Sequence, residues 1–411
     1  MSDASTSAAY EPGSLPKLTG LVLSYGMLIS AIGNNFLITI LPPLGREMGF
    51  IEWQVGVILA VGGVFMLITG PVWGRVSEDW GRRKVILLGA VGYVVTTAIF
   101  ALTIDLRLSG VMSAITCFLL LTAIRGLYTL TSGAIYPATM ALVADMTSRD
   151  KRAAGVAVIS AAWAFGSVIG PAMAAIFSAL TPTAPFYAVT LMGVAAIGMY
   201  MYWLHEPARH KAPDRVRFRN VLTPLILSIS GGFMVLILGN VALITTLGFH
   251  FQDAFELNAA QTARDVGIAL SASAIMQIVI QVAFITRVKW PPRRMVTVGL
   301  PIATVAVFIV MNAHSMPVVV GGMMLFGIGG GVGWPAYMTA ASLAAGPENQ
   351  GSVAGLTSAF QAIAFMIGPL LGTISYQINS QAPFYICAGL LVLAVILANV
   401  LPMPKPDETH A

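Results

Sequence analysis

The sequence from Gly70 to Lys84, GPVWGRVSEDWGRRK, lies between two long apolar segments. Its glycines, Gly74 and Gly81, permit a sharp turn and a close approach between backbones. Charged side chains are concentrated in this short stretch: Arg75, Glu78, Asp79, Arg82, Arg83 and Lys84. A charged hairpin between two membrane-length helices must lie in water at the bilayer surface, and its basic excess predicts that this water is cytoplasmic.

The composition of the whole chain is that of a polytopic protein embedded in a lipid bilayer. Hydrophobic residues make up 57% of the 411 residues, charged residues make up 9%, and the mean hydropathy is +0.83, whereas a soluble domain carries about a quarter charged residues. All but four of the 22 Lys and Arg residues are assigned to one side of the membrane, the exceptions being Arg46, Arg107, Arg125 and Arg264. This bias predicts that both termini are cytoplasmic in a cell membrane, with the bacterial inner membrane favoured. Because the positive charge is distributed in this way, no nucleic acid partner is expected.

Cysteine and the N-terminal residues give little further chemistry. Cys117 and Cys387 both lie in apolar runs, so neither a disulfide framework nor a CxxC metal site is predicted. Residues 1–16 are small and polar without the basic start of a signal peptide, and are predicted to be a disordered cytoplasmic tail. We expect no metal and no cofactor.

Twelve apolar segments approach the roughly 20 residues that a membrane-spanning helix requires. They fall near residues 18–41, 53–73, 84–104, 113–140, 153–179, 184–204, 221–249, 263–286, 295–312, 316–341, 351–376 and 383–402. The longest internal charged run separates six of these segments from the other six. The sequence therefore predicts an all-α membrane protein with a six-helix bundle at 17–204, a cytoplasmic linker at 205–220, a second bundle at 221–402 and a tail at 403–411.

The two predicted bundles repeat one another. Pro137 and Pro171 are separated by the same 34 residues as Pro335 and Pro369. A shift of 198 residues also places the segment Ala184–Tyr187, APFY, on an identical APFY at residues 382–385. Identical order at nearly constant offset indicates a parallel duplication, which predicts two bundles related by a pseudo-two-fold axis along the membrane normal.

The charged stretch resembles the signature of the major facilitator superfamily between its second and third helices. That signature has a Gly, an acid four residues later, a second Gly and paired basic residues, here Gly74, Glu78, Gly81, Arg82 and Arg83. This sequence departs from it in having Glu78 where the family usually has Asp, and Asp79 where it usually has a basic residue. The overall pattern is similar to the twelve-helix drug/proton antiporter branch, which implies alternating access by rocking of two halves around a midplane site.

Arg125 is the one basic residue predicted near the middle of a span. It lies twelve residues beyond Ser113, or about 18 Å of helix, and Leu121-xxx-Arg125 partly resembles a second motif of the family; Tyr128 and Thr129 replace the usual Gln and Gly. Such an Arg costs about 2.5–3.5 kcal/mol on insertion scales, so it should face a cavity or a partner.

All seventeen acidic residues fall at helix ends, in loops or in tails. A lone buried cation favours an anionic, zwitterionic or neutral substrate over a lipophilic cation; a packing Arg bonded to backbone carbonyls is the alternative.

A third motif occurs in the fifth span. Gly166-xxx-Gly170-Pro171 followed by Ala174 and Ala175 resembles the GxxxGP motif of exporting antiporters in the family. Small residues four apart allow helices to touch backbone to backbone, and a proline permits a bend. Ordinary helix packing also explains GxxxG alone. We predict a conformational gate formed by this motif, the charged hairpin and the loop between spans 4 and 5: Gly74, Glu78, Asp79, Gly81, Arg82, Arg83, Asp145, Arg149, Arg152, Gly166, Gly170 and Pro171. Ion pairs within it are predicted to hold the cytoplasmic side closed in the outward-open state.

Polar and aromatic residues within the spans are candidates for contact with a substrate. Each is more often a helix-packing residue than a ligand contact, but as a set they resemble the central cleft of the superfamily. The predicted substrate-binding residues are Arg125, Asn34, Asn35, Tyr136, Trp163, Asn240, Gln277, Gln281, Trp334, Tyr337 and Gln361.

These observations predict a secondary active transporter, monomeric, that exports a small organic molecule by proton antiport. No group that carries the proton is identified. The first alternative is uptake of a small organic anion by proton symport, with Arg125 as its anchor. A non-transporting receptor is a remote alternative. The sequence shows neither a nucleophile with a His base nor an HExxH motif, so it does not predict an enzyme.

Overall fold

The computed structural model describes residues 15–148, 151–206, 222–285, 287–288, 290–346 and 349–404. Most of the predicted linker and both predicted tails therefore lie outside the described residues, as does Arg149. Within the described ranges the chain forms twelve long apolar helices and no β-strand. They are α1 (Lys17–Glu47), α2 (Glu52–Trp80), α3 (Arg82–Leu108), α4 (Ala114–Met146), α5 (Arg152–Phe177), α6 (Ala184–Trp203), α7 (Pro224–Phe255), α8 (Ala259–Ile285), α9 (Pro292–Met311), α10 (Met316–Ala345), α11 (Gln350–Ile378) and α12 (Ala382–Val400).

Short polar residues set several of the helix starts. The Ser113 hydroxyl accepts the Thr116 N–H at 3.2 Å before α4. At the start of α8, Asn258 and Gln261 exchange side-chain and backbone hydrogen bonds in a capping box. Such caps satisfy N–H groups that have no partner within the helix.

Three helices change geometry along their length. α4 is interrupted at residues 133–134 and α7 at residues 245–246. The last five residues of α8, Gln281–Ile285, form a π-helical turn, an arrangement that is frequent at functional sites. Gln281, one of the predicted substrate-binding residues, begins this turn.

We call the end where α1 begins and α12 ends the termini face, and the other end the opposite face. Two buried apolar clusters form the core, one built mainly from α1–α6 and the other from α7–α12 in the part of the chain that the structure describes. These are the two halves of the molecule. The twelve-helix, two-bundle architecture predicted from the sequence is confirmed.

Glycines allow corresponding helices to touch within each half. A Cβ atom built on Gly166 of α5 would lie 2.6 Å from the Leu28 carbonyl oxygen of α1. In the second half, a Cβ on Gly372 of α11 would lie 2.3 Å from the Ala242 carbonyl oxygen of α7. Because α5 and α1 correspond to α11 and α7 in the repeat, the same tight helix pair is built twice.

The halves meet through a pair of contacts that the repeat also relates. A Cβ on Gly267 of α8 would lie 2.4 Å from the carbonyl oxygen of Pro171 in α5. A Cβ on Gly56 of α2 would lie 3.0 Å from the carbonyl oxygen of Pro369 in α11. Pro171 and Pro369 are the two prolines related by the 198-residue offset, so the same glycine–proline contact is made on both sides of the interface between the halves.

The contact between α2 and α11 does not continue to the termini face. Gly56, Gly63 and Gly70 are seven residues apart and therefore share one face of α2. Gly56 and Gly63 pack against the backbone of α11, at Pro369 and Met366. A Cβ on Gly70 would have no described atom within 4 Å. The halves are thus joined toward the opposite face and separate toward the termini face.

Seven of the twelve described helices extend beyond the C-terminal ends predicted from their apolar runs, and three of these seven carry the polar residues that meet at the opposite face. α1 continues through Pro42 and Pro43 to Glu47 rather than ending near residue 41. α7 reaches Phe255 rather than residue 249, and α11 reaches Ile378 rather than residue 376. In α1, α7 and α11 the apolar run ends before the helix because the last turns carry polar side chains, and these side chains bind across the halves.

Candidate transport site and gates

Arg125 lies in the interior of the N-terminal half, where it is 8% exposed. One terminal nitrogen donates to the Asn34 side-chain oxygen at 3.0 Å. The guanidinium carbon also lies 4.9 Å from the centre of the Tyr128 ring, a cation–π geometry. A Cβ on Gly62 of α2 would lie 3.1 Å from the guanidinium, so glycine leaves room for it there.

The guanidinium of Arg125 is incompletely satisfied. Its Nε is buried without a hydrogen-bond partner, and none of the ion pairs among the described residues includes it. It borders a small cavity of about 20 Å³, room for about one water molecule. Thr96, Thr97, Tyr128, Phe36 and Phe100 are among the residues that line the cavity. The site thus presents a buried cation with one open donor.

The other predicted residues of the N-terminal half lie around this point and toward the termini face. The Asn35 side chain donates to the Ala31 carbonyl at 2.8 Å within α1. Tyr136 is 50% exposed, and its ring meets Trp163 edge to face with centroids 6.0 Å apart. These two rings join α4 to α5.

The predicted residues of the C-terminal half are less uniform. Half-buried side chains are Asn240 on α7, Gln277 and Gln281 on α8, Trp334 on α10 and Gln361 on α11. Tyr337 is 1% exposed and donates to the Ala394 carbonyl at 2.7 Å. This bond ties α10 to α12 inside one half, so in this conformation the hydroxyl of Tyr337 is directed at a helix of its own bundle.

At the termini face, Arg82 organises the predicted gate. Its guanidinium donates to Asp145 at 3.0 Å and to Ser77 at 2.5 Å, and lies 3.8 Å from Glu78. These contacts join α2, α3 and α4 within the N-terminal half. Arg152 donates to the Ala144 carbonyl at 3.1 Å. The observed pairs of this gate therefore stabilise one half, in a conformation whose halves are apart at this end.

Glu206 was missed by sequence reasoning, which placed it in the linker. Its two carboxylate oxygens accept the backbone N–H groups of Arg82 and Arg83 at 2.6 and 2.9 Å. They cap the first turn of α3, where negative charge is favourable. Gly81 precedes that turn with φ +105°, and a Cβ there would lie 2.9 Å from Glu206. Gly81 is therefore required both by its backbone conformation and by this carboxylate.

At the opposite face, polar side chains from both halves form a cluster that we call the lock: Arg46, Glu52, Asp253, Tyr376 and Gln377. Arg46 of α1 binds both oxygens of Asp253 of α7, at 2.6 and 3.1 Å. Arg46 also donates to Glu52 at 2.7 Å. Gln377 of α11 donates to Glu52 at 3.2 Å, and Tyr376 to Asp253 at 2.6 Å. The lock therefore crosses between the halves twice.

The sequence did contain a signal for the lock. Arg46, Arg107 and Arg264 depart from the distribution of basic residues along the chain. Each of them has a polar partner: Arg107 donates to the Met48 carbonyl at 2.8 Å, and Arg264 lies 2.8 Å from Asp265. A basic residue that departs from the distribution of the other Lys and Arg residues therefore indicates a specific polar contact.

The GxxxGP motif divides its contacts between two neighbours. Gly166 and Gly170 face α1 of the same half, whereas Pro171 and Ala175 face Gly267 of the other half. The Ser271 hydroxyl of α8 also donates to the Val168 carbonyl at 3.0 Å across this interface. The motif thus fixes α5 within its half and joins that half to α8.

The two bundles enclose a partly polar interior, and they meet at one end of the molecule and are apart at the other. This arrangement defines a multi-pass membrane transporter. The model of the Major Facilitator Superfamily matches residues 23–288 and 229–411, and the chain belongs to that family. It is therefore a transporter rather than an enzyme, and the resemblance inferred from the motifs is confirmed.

Comparisons with known proteins agree along nearly the whole length. The chain is 23% identical over 398 residues to Multidrug resistance protein 1 of Bacillus subtilis (strain 168), covering 94% of this chain and 97% of that one. It is 21% identical over 391 residues to the Quinolone resistance protein NorA of Staphylococcus aureus (strain MSSA476), covering 92% and 95%. Its fold is similar to that of a bacterial homolog of the human lysosomal transporter Spinster in an inward-facing and occupied conformation, with a TM-score of 0.71, 16% identity, and coverage of 95% and 96%.

Proposed function

We propose that this protein exports a small organic molecule, anionic, zwitterionic or neutral, by proton antiport across a bacterial inner membrane. The termini face is cytoplasmic in this proposal, so the described conformation opens inward. The protein acts as a monomer of two bundles, 17–204 and 221–402, which rock about the region of Arg125. Its relatives named for multidrug and quinolone resistance support export of organic molecules.

The observation that carries the substrate class is the charge of the site. Arg125 is buried with an unpartnered Nε, and its described partners, Asn34 and Tyr128, carry no formal charge. A buried cation that lacks a carboxylate partner repels a lipophilic cation and attracts an acceptor group of a substrate. Asn34 holds the guanidinium toward α1, a helix that also contacts α8 of the other half.

Transport in inverted vesicles tests this proposal. The termini face is then outward, and an acidic lumen should drive norfloxacin or an organic anion into the vesicle while leaving ethidium unmoved. Arg125→Ala should lower uptake at least about tenfold, equivalent to about 1.4 kcal/mol, with unchanged expression. Arg264→Ala removes an arginine whose side chain is 56% exposed and should leave uptake unchanged. Strong uptake of ethidium, or full uptake by Arg125→Ala, contradicts the assigned charge role.

The same buried cation also supports the second candidate, uptake of an organic anion by proton symport. The direction of the gradient response separates the two. A symporter in these vesicles would lose preloaded anion from an acidic lumen, whereas an antiporter would accumulate it.

A further inference from the structure

His250 is the buried imidazole of α7, 8% exposed, and its Nε2 has no hydrogen-bond partner. The chain has five His residues, and this is the one that lies within a described membrane-spanning helix. A histidine is the side chain that ordinarily changes charge between about pH 5 and 8. A buried ring nitrogen without a hydrogen-bond partner is therefore a site for a proton.

The surroundings of His250 contain one source of charge. On α12 the ring of Phe384 packs against the imidazole with centroids 4.6 Å apart, and the buried thiol of Cys387 lies one turn further along. On α9 the imidazole meets the backbone of Val310. Among the described residues, the charged group that acts on the imidazole is Asp253, one helical turn away on α7. Asp253 is also the group that Arg46 holds across the interface.

Asp253 therefore stands between two cations, one permanent and one dependent on pH. Its carboxylate is bound by Arg46 of the other half and by Tyr376, and Arg46 is bound in turn by Glu52. A buried cation is strongly destabilising unless an opposite charge compensates it. When the imidazole is neutral, Asp253 attracts Arg46 without competition. When the imidazole is protonated, it competes with Arg46 for the carboxylate of Asp253.

We propose that His250 is a proton-binding site that opens the lock at the opposite face. Nε2 takes one proton from water and the imidazole becomes a cation. Asp253 turns toward that cation and releases Arg46, which keeps its pair with Glu52 in the same half. Deprotonation returns Asp253 to Arg46 and closes the lock. This inference rests on the proposed proton antiport, to which it supplies a group that responds to the proton gradient.

Distances across the opposite face test the inference without any substrate. Ser109 and Ser380 are exposed loop residues on different halves, and Ser109→Cys with Ser380→Cys provides two spin-label positions in a Cys117→Ala, Cys387→Ala background of the full chain. Pulsed electron resonance in lipid nanodiscs measures the label distance from pH 8 to pH 5. The expected result is a shift to longer distances as pH falls.

Matched variants determine whether His250 is responsible. His250→Gln should keep the short distance at pH 8 and lose the shift, and His250→Asn is measured beside it in case one variant fails to fold. His314→Gln changes an exposed histidine on the same face and should retain the midpoint of the unsubstituted protein. Asp253→Asn should have a larger open population at pH 8 than the unsubstituted protein and a smaller further change as pH falls.

The outcomes separate this inference from the proposed function. An unchanged midpoint in both His250 variants overturns the inference, as does a distance in the unsubstituted protein that does not depend on pH. Because no substrate enters the measurement, that failure leaves transport in inverted vesicles to decide the proposed antiport.

Discussion

Gly267→Ala tests whether the contact between α8 and α5 holds the opposite face closed. A Cβ atom at this position would lie 2.4 Å from the Pro171 carbonyl oxygen and 2.9 Å from the Ala175 Cβ. The carbonyl is helical backbone and cannot rotate away as a side chain can. Since real Cβ atoms essentially never come closer than 3.0 Å to another atom, the two helices must separate by at least about 0.6 Å.

The penalty applies to the conformation in which the contact is made. Overpacking of this kind costs about 1–3 kcal/mol. A difference of that size between two states changes their ratio about 5- to 150-fold. Gly267→Ala should therefore raise the population open at the opposite face by that factor. Gly56→Ala should have a smaller effect, because the atom nearest its Cβ is the Thr373 hydroxyl oxygen at 2.1 Å, which can rotate.

The spin labels at positions 109 and 380 report the open population directly. Gly70→Ala is the matched control: it lies on the same face of α2 as Gly56, and a Cβ there has no described atom within 4 Å. It should leave the distance distribution unchanged. If Gly267→Ala gives the same distribution as Gly70→Ala, the proline–glycine contact does not determine which end of the molecule is closed.

Three other substitutions give independent predictions. Arg46→Gln removes the two-pronged pair with Asp253, in which the Arg46 and Asp253 side chains are 27% and 48% exposed. Such partly solvated pairs contribute about 1 kcal/mol, so the open population, measured by the same label distance, should rise about fivefold. No rise contradicts the lock. Glu206→Gln weakens the cap of α3 by about 0.5–1 kcal/mol and should lower the melting temperature slightly; an unchanged melting curve at low ionic strength would remove that role. Gly81→Ala places a Cβ at a φ of +105° and against Glu206, and should destabilise the protein by about 1–3 kcal/mol. Gly110→Ala places a Cβ at a φ of +78° in open space, and should destabilise the protein less in the same melting experiment.

The architecture could be predicted from the sequence because it depends on short-range properties. The length and apolarity of each segment determine whether it spans a bilayer. The repeated Pro137–Pro171 and Pro335–Pro369 spacing indicated the duplication. Arg125 could also be found, because a basic residue in the middle of an apolar run is unfavourable without a partner.

Arg46 could be singled out by its position, but its partners in the lock could not be predicted, because they are distant in sequence and lie at helix ends. Arg46, Asp253 and Gln377 belong to three helices and are brought together by the packing of the halves. Each lies at or near the end of an apolar run, where hydropathy no longer distinguishes a last helical turn from a loop. The contact between Glu206 and the start of α3 could not be predicted either, because these residues are also distant in sequence and lie at helix ends.

The two kinds of contact at the opposite face have different consequences for transport. The contacts of Gly56 with Pro369 and of Gly267 with Pro171 consist of backbone and small side chains, and the duplication repeats them in both halves. They can hold two bundles together, but they carry no charge and so cannot respond to a proton. Arg46 and Asp253 occur once, and their attraction depends on the protonation of neighbouring groups. The repeat therefore supplies a symmetric surface on which the halves can close, and in the proposed lock mechanism the unduplicated charges determine when they do so.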